Sequence, residues 1–155
     1  MKYLITSFVL ILLLSACQPT PFYEVKLPVD PMGWAYDNKK SFEVEVIDTI
    51  PFYDMHLNVT HDDTYSYQNM YMKVTTSFPN QEDKEEQLNI DLAEKNGQWI
   101  GKCSKEKCEL KVYLLEKFKF ARPGKYSFAF EQYSRDANLK GIEELKLTLF
   151  EVVAK

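Results

Sequence analysis

Apolar residues recur at every second position along most of this chain. In Ser41–Asp48, Phe42, Val44 and Val46 fall on one side, and Glu43 and Glu45 on the other. In Phe52–Val59, Leu57 and Val59 alternate with His56 and Asn58. Asn69–Phe78 turns Met70, Met72 and Val74 inward, and Leu88, Ile90 and Leu92 alternate with Asn89 and Asp91. Gln98–Lys102 predicts a short strand around Trp99 and Ile100. Glu109–Phe120 carries Leu110, Val112 and Leu114 on one face and changes phase at Leu115-Glu116, as a β-bulge would make it do. Phe118 and Phe120 follow. Tyr126, Phe128 and Phe130 alternate after the turn Pro123-Gly124, and Leu145, Leu147 and Leu149 oppose Lys146, Thr148 and Phe150. A period of two is that of a strand, so the pattern predicts about eight strands. Each has one wet face, which favours antiparallel pairing over a buried parallel sheet. The expected fold class is all-β, a single antiparallel β-sandwich. Asn138–Glu144 alone has some helical character, and the charged run Gln81–Glu86 reads as a solvated loop. An aromatic fraction of 14% with only 5 glycines suits a sheet protein.

The N-terminus breaks this pattern. Lys2 precedes an apolar run, Leu4–Leu14, interrupted only by Thr6 and Ser7, which ends in Leu14-Ser15-Ala16-Cys17. Ser15 and Ala16 are the small residues that a signal peptidase requires. The tetrapeptide resembles the lipobox of bacterial lipoproteins. Residues 1–16 are therefore expected to be a removed signal peptide, with Cys17 lipidated as the first mature residue. Tyr3–Ala16 falls short of the roughly 18–20 apolar residues of a membrane span. One acyl chain holds a protein only marginally, at about 0.8 kcal/mol per buried CH₂, whereas two or three hold it stably. Gln18–Pro28 contains Pro19, Pro21 and Pro28 and reads as an extended tether. The expected organisation is tether over 17–33 and sandwich domain over 34–155, a length suited to one domain.

A net charge of −4 argues against nucleic acid and against an anionic bilayer as an electrostatic partner. With Cys17 lipidated, Cys103 and Cys108 remain. An exported protein meets an oxidising compartment, so they are a candidate disulfide, with free thiols as the alternative. A lone Cys-x₄-Cys without a neighbouring His is at best half a zinc site.

Several landmarks occur in order: Leu27-Pro28, Gly33-Trp34, Asp48-Thr49, Tyr65-x-Tyr67-x-Asn69-Met70-Tyr71, Asp91-Leu92-Ala93 and Gly97-x-Trp99-x-Gly101-Lys102. Pro123-x-x-Tyr126-x-Phe128 and Gln132-x-x-Arg135-x-x-x-Leu139-x-Gly141-Ile142 complete the set. With the lipobox in front, the chain resembles the gliding motility-associated lipoprotein GldH family of Bacteroidetes over nearly its whole mature length. The resemblance implies an outer-membrane lipoprotein needed for gliding, a process tied to type IX secretion. It implies other envelope proteins as partners, with no enzymatic activity and no cofactor. Gln18 after Cys17, in place of Asp, favours the outer membrane by analogy. The lack of an acidic cluster beside Cys17 favours the periplasmic face over the cell surface.

Candidate chemistry is sparse. Asp54 and His56 share a strand face, but no nucleophile motif accompanies them, and an exposed strand face accounts for the pair. His56 and His61 lack a third ligand, and Asp62-Asp63 lacks the alternation of a calcium loop, so no metal is expected. Tyr65, Tyr67 and Tyr71 lie two and four positions apart and so share one face of an extended segment, which suits a partner surface or a stack on sugar rings. Ordinary core packing is the competing account of that strip. Gln132–Ile142 is a polar segment that packing explains poorly. Gln132 and Arg135 in it are candidate partner or ligand residues, unless Arg135 merely pairs with Asp136 or Glu131. Asp48-Thr49-Ile50 resembles the acceptor triplet for O-glycosylation in exported Bacteroidetes proteins, which makes Thr49 a candidate. The functional expectation is a non-enzymatic accessory acting by protein–protein interaction, with a glycan- or peptidoglycan-binding module as the alternative.

Overall fold

Burying the apolar side of each strand takes two sheets face to face, and the computed structural model, which describes residues 19–152, contains them. The five-stranded sheet runs β1 (Tyr23–Pro28), β11 (Ile142–Val152), β4 (Phe52–Asp62), β8 (Lys107–Phe118), β7 (Lys102–Ser104). The four-stranded sheet runs β3 (Lys40–Val46), β9 (Gly124–Gln132), β5 (Asn69–Ser77), β6 (Lys84–Asp91). A two-stranded ribbon joins β2 (Trp34–Ala35) to β10 (Asn138–Leu139). All pairings are antiparallel. The class is all-β and sandwich-like. Cys17 and the signal segment lie outside the described residues.

The core follows the alternation. Leu57, Val59, Leu145, Leu147 and Leu149 meet Phe42, Val44, Met72 and Phe130, with Trp34 of the ribbon closing one end. Burial of each large side chain contributes about 1.5–3 kcal/mol. The phase change in β8 is a bulge. Met55 pairs with Leu115 but His56 pairs with Tyr113, which leaves Leu114 as the extra residue. Beyond it Lys117 takes a left-handed φ of 48°, and its N–H donates to Asp54 Oδ1 at 2.7 Å.

Four expectations need correction. Tyr23–Pro28, read as tether, is β1, paired with β11 from Tyr23–Leu149 to Pro28–Glu144. The three prolines hid a clean alternation of Tyr23, Val25 and Leu27, and Pro28 is tolerated because β1 is an edge. The domain thus begins before residue 34, and Val29 is also buried. Lys84–Glu86, read as loop, opens β6. Its charges sit on an exposed edge, where they discourage pairing with another chain. Gln98–Lys102 is not a strand. Trp99 makes one bridge to Ala93, and the strand β7 follows from Lys102. Asn138–Glu144 is not helical, because Asn138–Leu139 pairs with Trp34–Ala35 and β11 starts at Ile142.

Candidate functional site

The strongest convergence of candidate residues lies at the end of the sandwich where β9 finishes. Past Gln132 the chain turns through Tyr133–Ala137 into β10. Gln132 is 2% exposed. Its Oε1 accepts the Ser134 N–H at 2.9 Å and the Ser134 hydroxyl at 2.7 Å, and its Nε2 donates to the Asp136 carbonyl at 2.8 Å. One buried amide therefore holds the whole turn. Gln132, expected at a contact surface, is a positioning residue.

Four tyrosines surround this turn. Tyr36 donates its hydroxyl to the Ser134 carbonyl at 2.8 Å, and Tyr67 donates to Asp136 Oδ2 at 2.6 Å. Tyr133 follows Gln132, and its N–H donates to the Tyr71 carbonyl at 2.8 Å. Tyr36, Tyr67, Tyr71 and Tyr133 remain 42–55% exposed. Tyr36, Tyr71 and Tyr133 border an open depression of about 730 Å³ that Lys73, Glu131 and Arg135 also line. Tyr71, Ser134 and Arg135 divide it from a smaller hollow of about 250 Å³ shared with Tyr65, Tyr67 and Asn69.

The three tyrosines of the expected strip thus reach one hollow, but not from one strand. Tyr65 and Tyr67 lie in the β4–β5 connection, and only Tyr71 belongs to β5. Tyr65 is buried, with its hydroxyl on the Asn69 carbonyl at 3.2 Å and its ring 5.8 Å from His61. Burial pushes its phenol pKa well up, and the hydrogen bond to Asp136 raises that of Tyr67. Both are hydroxyl donors at neutral pH. Arg135 is exposed and makes no ion pair among the described residues. Asp136 serves Tyr67 instead, and Glu131 pairs with Lys39 at 2.9 Å and Lys73 at 3.8 Å. Tyr36 and Tyr133 escaped the sequence reading because neither lies on a strand whose alternation would mark it.

The remaining candidates sit apart. Cys103 and Cys108 face each other across the β7–β8 hairpin and are joined as a disulfide. Thr49 is half-buried in the turn between β3 and β4. Asp54 and His56 do not form an exposed pair. Asp54 accepts from the Lys117 backbone, while His56 is buried on the outer side of its sheet against Tyr113 (4.4 Å) and Phe150 (5.6 Å). Large neighbours on β8 and β11 cover it, which period-two counting cannot foresee. No cluster of three potential metal ligands occurs among the described residues.

The sequence pattern of the GldH lipoproteins matches residues 22–148. The chain belongs to the GldH lipoprotein family. The GldH homolog of Christiangramia forsetii, described as a gliding motility lipoprotein, is 28% identical over 137 residues, 88% of this chain and 83% of that one. The gliding motility lipoprotein GldH of Flavobacterium johnsoniae is 27% identical over 115 residues, 74% of this chain and 71% of that one. Among solved structures, a family GH115 4-O-methyl-alpha-glucuronidase covers 88% of this chain with a TM-score of 0.43 and 10% identity. This chain spans only 18% of that enzyme, and the likeness is too distant to bear on function. Family membership makes this GldH protein a lipoprotein of the cell envelope, in line with its lipobox.

Proposed function

We propose that this GldH protein is a non-enzymatic, outer-membrane accessory of gliding motility and type IX secretion, attached through acyl chains on Cys17 and acting by binding another envelope protein. The observation that carries the binding reading is the tyrosine rim around the Gln132 turn. Tyrosine offers a large, stiff contact area with a polar tip, and arginine and tyrosine dominate interface hot spots. Arg135 stands among four exposed tyrosines and forms no ion pair among the described residues, which leaves its guanidinium available to a partner's carboxylate. The periplasmic face suits such a partner. Replacing Arg135 by Ala should leave the melting temperature unchanged and reduce capture of the partner from crosslinked envelopes by tenfold or more, as loss of about 1.4 kcal/mol or more would. Undiminished capture removes this face from the function. Selective loss of type IX cargo from the secretome of a deletion strain, restored by wild-type but not by Cys17→Ala protein, tests the cellular role.

A second reading, glycan or peptidoglycan binding, draws on the open depression itself. Tyr71 and Tyr133 supply rings for stacking beside Lys73 and Glu131. Retention on purified cell wall that is lost in Tyr133→Ala but kept in Arg135→Ala favours it over a protein partner.

A further inference from the structure

The opposite end of the sandwich holds a second concentration of exposed apolar side chains. The turn between β3 and β4 raises Ile47 and Ile50, which are 87% and 76% exposed. Asp48 Oδ1 accepts the Ile50 N–H at 2.8 Å, so the turn between the two isoleucines is held in shape. Phe52, exposed at the start of β4, lies under Lys119 Nζ at 4.2 Å. Phe22, also exposed, precedes β1 with its ring 5.0 Å from that of Tyr53. Strand register places them together. Tyr23 is opposite Leu149, Phe52 opposite Val152, Tyr53 opposite Phe118 and Val46 opposite Gly124. The Gln132 turn lies at the other end of β9.

Isolated exposed isoleucines mean little, but these stand at the end from which the chain runs back to Cys17. Phe22 lies five positions after Cys17 in the chain. At about 3.3–3.6 Å per residue, their Cα atoms lie within roughly 18 Å of one another whatever the path between them. We infer that this end is a membrane-docking face, in which Ile47, Ile50, Phe52 and Phe22 enter the interfacial layer of the same bilayer that holds the anchor, so that the tyrosine rim points away from it. The inference rests on Cys17 being the acylated residue.

An anchor makes the docking intramolecular, so a modest apolar patch is enough where a free protein would need a larger one. The charges at this end are mixed. Lys117, Lys119 and Arg122, from the end of β8 to just before β9, stand at the same end as Asp48 of the β3–β4 turn, Glu82 and Asp83 of the β5–β6 turn, Glu116, and Glu151 opposite Tyr53. Attraction to anionic headgroups therefore largely cancels, and docking proceeds by apolar burial with little dependence on salt. A bulky glycan on Thr49, between the two isoleucines, is incompatible with insertion.

Two variants of the full-length, processed protein that each add one free thiol test this, Ile50→Cys and Met32→Cys, since acylation blocks Cys17 and the disulfide blocks Cys103 and Cys108. Both sites are exposed, at opposite ends. Each carries an environment-sensitive nitrobenzoxadiazole label and is reconstituted into phosphatidylethanolamine–phosphatidylglycerol vesicles. Acylation of Cys17 is read in the same samples from the mass of the N-terminal peptide. The label at position 50 should emit further to the blue than that at 32. Lipids spin-labelled in the upper acyl chain should quench it severalfold more strongly, with little change on raising salt. Equal quenching at both sites on acylated protein overturns the docking face and leaves the anchor standing. An unmodified Cys17 overturns both. A glycopeptide containing modified Thr49 in protein from the native organism overturns the docking face.

Discussion

Gln132→Leu tests whether one buried amide sets the shape of the tyrosine rim. Leucine nearly preserves the side-chain volume, so the change reports hydrogen bonding and not a cavity. Three bonds are lost, from Ser134 N, from Ser134 Oγ and to the Asp136 carbonyl. At about 1 kcal/mol each, the loss is about 3 kcal/mol. The added apolar burial returns about 1 kcal/mol, roughly the worth of one CH₂. The net cost of about 2 kcal/mol should lower the melting temperature by about 8 °C, at about 4 °C per kcal/mol for a domain of this size. Because the turn carries Ser134, Arg135 and Asp136, partner capture should fall at temperatures where the domain is still folded. A double-mutant cycle with Ser134→Ala sharpens the assay. The two side chains share a bond, so the double mutant should cost about 0.5–1.5 kcal/mol less than the two singles combined. Strict additivity, or a melting temperature unchanged by Gln132→Leu, refutes the claim that this amide holds the turn.

Burial beneath Tyr113 and Phe150, followed by the charge of Lys111, lowers the His56 pKa below its usual 6.5. As pH falls below about 6.5 the unfolded chain takes up a proton that the folded one refuses, so stability should decline until the lower folded pKa is passed. Denaturant titrations of wild type and His56→Phe across that window should differ in slope, and identical slopes count against the assignment. Reduction of Cys103–Cys108 should lower stability by at most about 2 kcal/mol, because the loop it closes is short and lies on a sheet edge. Circular dichroism of the reduced protein should keep its strand signal. Leu147→Ala, at the centre of β11 with 0% exposure, should cost about 2–5 kcal/mol by urea titration.

Strands whose two faces differ could be read directly from the amino-acid order. In β3, β9 and β11 the alternation of Phe42-Val44-Val46, Tyr126-Phe128-Phe130 and Leu145-Leu147-Leu149 shows which side is buried, because a strand turns successive side chains to opposite faces. Even the bulge in β8 was legible as a change of phase. The short and edge strands were not. β1 is stabilised by pairing with β11, and β2 and β10 by each other, and such distant hydrogen bonds leave no local periodicity. The candidate site divides the same way. Gln132, Arg135 and the spaced tyrosines stood out as polar and aromatic residues that packing did not account for. It took the folded arrangement to make Gln132 the buried clamp, to put Tyr65 in the core, and to bring Tyr36 to the rim from 98 residues before Ser134 in the chain. Exposure and convergence arise from contacts between segments far apart in sequence, so they become readable only once the two sheets have closed on each other.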